Sequence, residues 1–177
     1  VLKIQDLTKN MSTTITFKIT GTKETSDALK NISKELKDLS IPLDDSSRSY
    51  LNAISTNFKD EGKTFGQPWP PLSPATIAIK RQLRKEGKSI GVKKPLLRTG
   101  LLRRSFGFDL KSKTRSDIYN NTDYAIIHQE GGVSTFKGRK VKIPKRVLAD
   151  IDTKRIEMVS KIFENWIIGL IKKQGAD

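Results

Sequence analysis

The side chains that could run a reaction are few, and their spacing brings none of them together. His128 is the single histidine in 177 residues, and there is no cysteine. Nucleophilic catalysis needs a base beside the nucleophile, most often an imidazole. A zinc or non-haem iron site needs a grouping such as His-x-x-x-His. One histidine supplies neither. Asp44-Asp45 and Asp60-Glu61 are adjacent acidic pairs of the kind that could gather magnesium for a nuclease. Neighbours on a helix, however, point about 100° apart, so helix capping and solvated faces account for these acids better. No Gly-x-x-x-x-Gly-Lys-Ser/Thr phosphate loop occurs. The expectation is a protein that is not an enzyme and takes no cofactor or metal, with His128 at a sheet edge or in a subunit contact.

Positive charge is what the chain has in quantity. It carries 34 Lys and Arg against 19 Asp and Glu, a net +15. Residues 80–115 hold thirteen bases and two acids, and residues 137–146 hold six bases and no acid. Blocks of like charge repel one another unless something anionic lies nearby. They read either as solvated loops or as segments facing a polyanion such as DNA. A DNA-binding regulator or packaging accessory is the rival function, yet no zinc finger, RNA-recognition motif or compact helix-turn-helix is visible. Arg103 and Arg104 suit phosphates or the acids of another subunit, and phosphate contact alone carries no sequence specificity.

The elements that must position these groups follow from periodicity. Residues 1–12 read as an N-terminal arm and 13–177 as a single α+β domain with extended basic loops near 84–95 and 134–142. Ile15, Phe17 and Ile19 alternate as a half-buried strand over Thr13–Thr20. Ala28, Leu29, Ile32, Leu36 and Leu39 recur at helical spacing, with Pro42 as the stop. Tyr50, Leu51, Ile54 and Phe58 stripe a second helix, capped by Asp45 or Ser46 and ended by Gly62. Ser73-Pro74 opens a third helix. Residues 84–95 form a flexible loop, and Thr99 caps a short helix. Phe106, Phe108 and Leu110 pair with Ser116–Asn120 as a hairpin. Tyr124–His128 fits a helical turn or a strand. Val141 and Ile143 suggest a strand cut off by Pro144. Asp152 caps a last helix with apolar Ile156, Val159, Ile162, Phe163, Trp166, Ile167 and Leu170. Together they predict a small mixed or antiparallel sheet packed with N-terminal helices and a long C-terminal helix. No run of about 18 apolar residues occurs, so no membrane partner is expected. The absence of cysteine fits a reducing compartment such as the host cytoplasm.

Four blocks then stand in order. The first is Phe58-x-x-Glu61-Gly62 with Trp69-Pro70-Pro71-Leu72-Ser73-x-x-Thr76-x-x-x-Lys80. The second is Pro95-Leu96-Leu97-x-Thr99-Gly100-x-Leu102-x-x-Ser105-Phe106. Tyr124-Ala125-x-x-His128-Gln129-x-Gly131-Gly132 is the third, and Ile143-Pro144-x-Arg146 the fourth. In this order they resemble the phage virion morphogenesis family, which includes tail completion proteins of Mu-like and related phages. The likeness covers about half the chain. It departs at Arg146-Val147-Leu148-Ala149, where members more often carry Arg-Pro-Phe-Leu. The physical readings stand beside it. Trp69 among prolines anchors its loop or plugs the domain's own core, while Leu97 and Gly100 belong to a tight turn between two apolar pairs.

The resemblance implies a structural virion protein, a tail completion or head-tail connector subunit made in the host cytoplasm and located at the neck. Its implied partners are copies of itself in a ring (a hexamer), a head-side connector or adaptor, a tail terminator or tail tube protein, and genomic DNA in the lumen. Lys93, Lys94, Arg103, Arg104, Lys137, Arg139, Lys140 and Lys142 are the candidates for subunit or DNA contact.

Overall fold

The computed structural model describes residues 23–136 and 138–174, without the side chains of Phe136 and Arg139. The expected arm at 1–12, the strand expected at Thr13–Thr20 and Lys137 lie outside them. Helix α1 spans Lys23–Glu35 and buries no residue fully. Helix α2 spans Ser40–Lys59, so it begins well before the caps expected at Asp45 or Ser46. Pro42 is no barrier because it falls in the first turn, where a backbone N–H has no intrahelical partner. Capping comes from Asp38, whose carboxylate accepts the Ser40 N–H at 3.1 Å and the Ser40 hydroxyl at 2.6 Å. The Ser40 hydroxyl and the Lys113 ammonium hold the Asp38 pKa down to about 2.

Helix α2 is the axis of the fold. Ile54 and Phe58 on its inner face join Phe65, Trp69, Leu102, Val147 and Leu148 in the buried core. Each such side chain contributes roughly 1.5–3 kcal/mol of transfer free energy. A 3-10 turn at Lys63–Phe65 follows α2, entered through Gly62 at φ +95°. The loop beyond it delivers Trp69 edge-on to Phe58, with ring centroids 5.2 Å apart at 85°. Helix α3, Pro74–Lys85, starts as expected: Ser73 accepts from the Thr76 N–H, and Pro74 occupies the first turn.

Residues 86–100 have no regular structure but are anchored, unlike the flexible loop expected at 84–95. The Ile90 N–H donates to Arg98 O at 2.7 Å, and Pro95 is fully buried. Lys80 Nζ donates to Lys94 O at 2.6 Å, while Lys94 Nζ reaches Lys59 O at the end of α2. Helix α4, Leu101–Arg104, takes left-handed Gly100 as its N-cap. The Thr99 hydroxyl still accepts from the Leu101 N–H at 3.3 Å.

The chain is α+β as expected, and among the described residues the strands form two separate antiparallel hairpins where one sheet was expected. Strands β1, Phe106–Ser112, and β2, Arg115–Asn120, lie on α2. Their register pairs Phe106 with Asn120 and Phe108 with Ile118. Helix α5, Ala125–Glu130, then intervenes. It resolves the choice left open at Tyr124–His128 in favour of helix. Gly131 turns the chain at φ +75° into β3, Gly132–Phe136, and β4, Arg139–Ile143. Most of the basic stretch expected as a loop near 134–142 is therefore paired strand, for example Thr135 with Lys140.

Residues 146–150 form a strap across the core. Val147 O accepts from Asn57 Nδ2 and Trp69 Nε1, both at 2.9 Å. Gln129 bonds the Leu148 N–H and Ala149 O, and the Tyr50 hydroxyl donates to Asp150 O. Helix α6, Thr153–Lys173, is capped by Asp152 as expected, accepting from the Arg155 N–H at 2.8 Å. It packs on α2 but buries no residue fully, and Ile156 and Ile167 of its expected inner stripe are exposed.

Candidate functional site

Residues from all four motif blocks meet at one groove of about 630 Å³. Leu72 and Thr76 come from the start of α3, Thr99 and Leu102 from the turn into α4, Tyr124 and His128 from α5, and Pro144 and Arg146 from the chain after β4. Lys142 joins them. Trp69 lies behind this wall in the core, 6% exposed, where it both fills the core and anchors its loop. Pro70 meets the groove's arginine: Arg146 Nη2 donates to Pro70 O at 2.9 Å. Gly100 and Gly131 shape the walls at positive φ. A Cβ on Gly131 would stand 2.9 Å from the Lys145 N atom.

His128 sits on α5, not on a sheet edge. Its carbonyl accepts the Arg146 N–H at 2.7 Å, and the Tyr124 ring stands edge-on at 6.1 Å. Nδ1 is buried with no hydrogen-bond partner. Burial, and then the Arg146 charge, push the imidazole pKa below its usual value, so the ring is neutral at pH 7.

The groove is also cationic. Arg146 and Lys80 are each 6% exposed, and Arg98 and Lys142 stand on the same walls. Burial lowers the Arg146 pKa, and burial together with the Arg98 charge lowers that of Lys80. Arg146 Nε is buried without a hydrogen-bond partner. Among the described residues no acid lines the groove, and none of these four cations is in an ion pair. Ile79, Leu101, Tyr124 and Val141 add an exposed apolar rim.

The remaining candidates are elsewhere. Lys93, Lys94 and Leu97 border a separate basic depression with Arg84 and Lys85. Arg104 is exposed and Arg103 half-buried, both on α4. Lys140 is exposed on β4, the strand that also carries Arg139. A second groove, about 640 Å³ and mostly apolar, runs between α2, the β1–β2 hairpin and α6, past Tyr50, Phe106, Ile118, Val159 and Phe163.

Lys80 stands in the first motif block but not among the site candidates, and Arg98 and Asn57 in neither. Lys80 had a visible signal, since it lies four residues from Thr76 within the first block and so shares its helix face. Asn57 lies three residues from Ile54, on the buried stripe, and its amide satisfies the strap. Arg98 carries no sequence signal beyond its charge.

Among the described residues no group of three or more His, Cys, Asp or Glu is placed to hold a metal ion, and no helix is long and apolar enough to cross a membrane. Asp44 is engaged by Arg48 at 2.6 Å, and Asp60 accepts from the Lys63 N–H and the Thr64 hydroxyl. Groove and fold together describe a small α+β protein with open grooves and two helices that bury no residue fully. Its sequence matches the phage virion morphogenesis family over residues 21–167, and the chain belongs to that family. It is accordingly a protein of bacteriophage virion assembly. No curated protein and no solved structure gives a match.

Proposed function

We propose that the chain is a tail completion or head-tail joining subunit, assembling as a closed ring at the neck between the head-side connector and the tail tube. The observation that carries this reading, beside family membership, is the amount of apolar surface without a partner. Among the described residues, helices α1 and α6 bury no residue fully; Leu29, Ile156, Ile168 and Ile171 are exposed along them and Leu36 just past the end of α1. The apolar groove beside α6 lies open as well. Contiguous exposed apolar surface marks protein contact sites. Two different patches per subunit are what a closed ring of heterologous contacts requires, so the occupant of these faces is a second copy of the chain.

The basic segments then serve the joint. Lys93, Lys94 and Lys140 lie outside the motif groove, while Lys142 stands on its wall; their charge suits DNA phosphates in the lumen or acidic faces of the neighbouring proteins. Replacing all four by Glu in a producing phage is expected to leave a folded monomer and yield unjoined heads and tails by electron microscopy. Joined, infectious particles at normal yield would overturn the role of these lysines. Particles assembled normally without the protein altogether would overturn the joining role itself. Sequence-specific, salt-sensitive binding of duplex DNA by the purified protein would favour the regulator instead.

A further inference from the structure

The groove where the motif blocks meet is more than a packing seam. Lys80 and Arg146 are nine-tenths buried in its walls, Arg146 Nε has no partner, and Arg98 and Lys142 add charge with no acid opposite. Holding desolvated cations together without an anion is costly. A ligand carboxylate in the groove would offset the mutual repulsion.

We propose that this groove is a binding site for a short acidic peptide segment of a partner protein, one that places a carboxylate at Arg146, Arg98 and Lys80 between flanking apolar side chains. The apolar rim of Ile79, Leu101, Tyr124 and Val141 favours a peptide over a nucleic-acid strand. A volume of about 630 Å³ suits a few residues and excludes a duplex. The Pro70 carbonyl fixes one arm of the planar Arg146 fork and so holds the guanidinium in the groove wall. The biological meaning of the site rests on the assembly role proposed above; its chemistry does not.

The test uses the full chain and two fluorescein-labelled hexapeptides, Leu-Glu-Ile-Asp-Leu-Glu and its neutral counterpart Leu-Gln-Ile-Asn-Leu-Gln, with binding followed by fluorescence polarisation. The acidic peptide is expected to bind at least tenfold tighter than the neutral one. Arg98→Glu, an exposed change on the groove wall, should abolish that preference. Lys93→Glu, the same type of charge change outside the groove, should leave affinity within about twofold. Arg146→Lys should weaken binding while circular dichroism and the melting temperature show the fold intact. Equal affinity for the two peptides would overturn the proposal, as would equal losses from Arg98→Glu and Lys93→Glu. Displacement of the acidic peptide by a single-stranded hexanucleotide at lower concentration than by unlabelled peptide would overturn it in favour of nucleic acid. None of these outcomes bears on whether particles join, so the site and the joining role can fail separately.

Discussion

His128 shows how burial gives a residue consequences that its type alone does not. Its pKa is depressed in the folded chain, so the fold favours the neutral ring relative to the unfolded chain, where the value is about 6.5. The sign follows from linkage. The contribution is fully present above pH 6.5 and is lost as pH falls through that value towards the folded pKa. The melting temperature should therefore drop between pH 7.5 and pH 5, and His128→Gln, which cannot titrate, should flatten that drop. An unchanged slope in the variant would mean that other groups set it. The sequence exposed His128 as the lone imidazole in a motif block, but not its burial. That comes from chain brought up from far along the sequence, such as Arg146, eighteen positions away, whose N–H bonds to the His128 carbonyl.

Single elements were legible where their signals are local. The caps at Ser73 and Asp152 are read directly from short polar side chains preceding apolar periodicity. The start of α2 was hidden because its cap, Asp38, lies outside the helix and Pro42 looks like a stop. Strand β4 was visible in the alternation of Val141 and Ile143, but its partner β3 was hidden because it opens on a glycine pair that reads as a break. The turn after α2 allows a sharp check. A Cβ on Gly62 would meet Gln67 O and come within 2.5 Å of Trp69 Cδ1, at φ +95°. Gly66 has a similar φ of +69° but nothing within 4 Å. Gly66→Ala should cost only the left-handed backbone penalty, about 1 kcal/mol. Gly62→Ala should cost about 2 kcal/mol more than that, because it also unseats the Trp69 plug. Urea titrations of the two variants give the comparison directly.

At the scale of the whole molecule, seven apolar side chains form the buried core while eighteen large ones are exposed among the described residues. A sequence with 35% hydrophobic residues signals a lean core, but not which faces go uncovered. That depends on how α1 and α6 lie beside α2. If α6 meets a second copy, Ile156→Glu together with Ile168→Glu should convert oligomer to monomer in sedimentation velocity. The monomer's unfolding free energy should change by no more than about 0.5 kcal/mol, as for surface positions generally. Oligomers that persist at the same concentration would place the contact elsewhere on the molecule.

The division of the strands into two ribbons has one more consequence. Among the described residues, every strand has its backbone groups matched on one flank and open on the other, an invitation to uncontrolled stacking of chains. On β4 that hazard is countered by Lys140 and Lys142, whose like charges hold approaching copies apart and fade with added salt. The same lysines that deter an identical strand would tolerate a negatively charged one, so the edge of this ribbon is biased against stacking on its own kind.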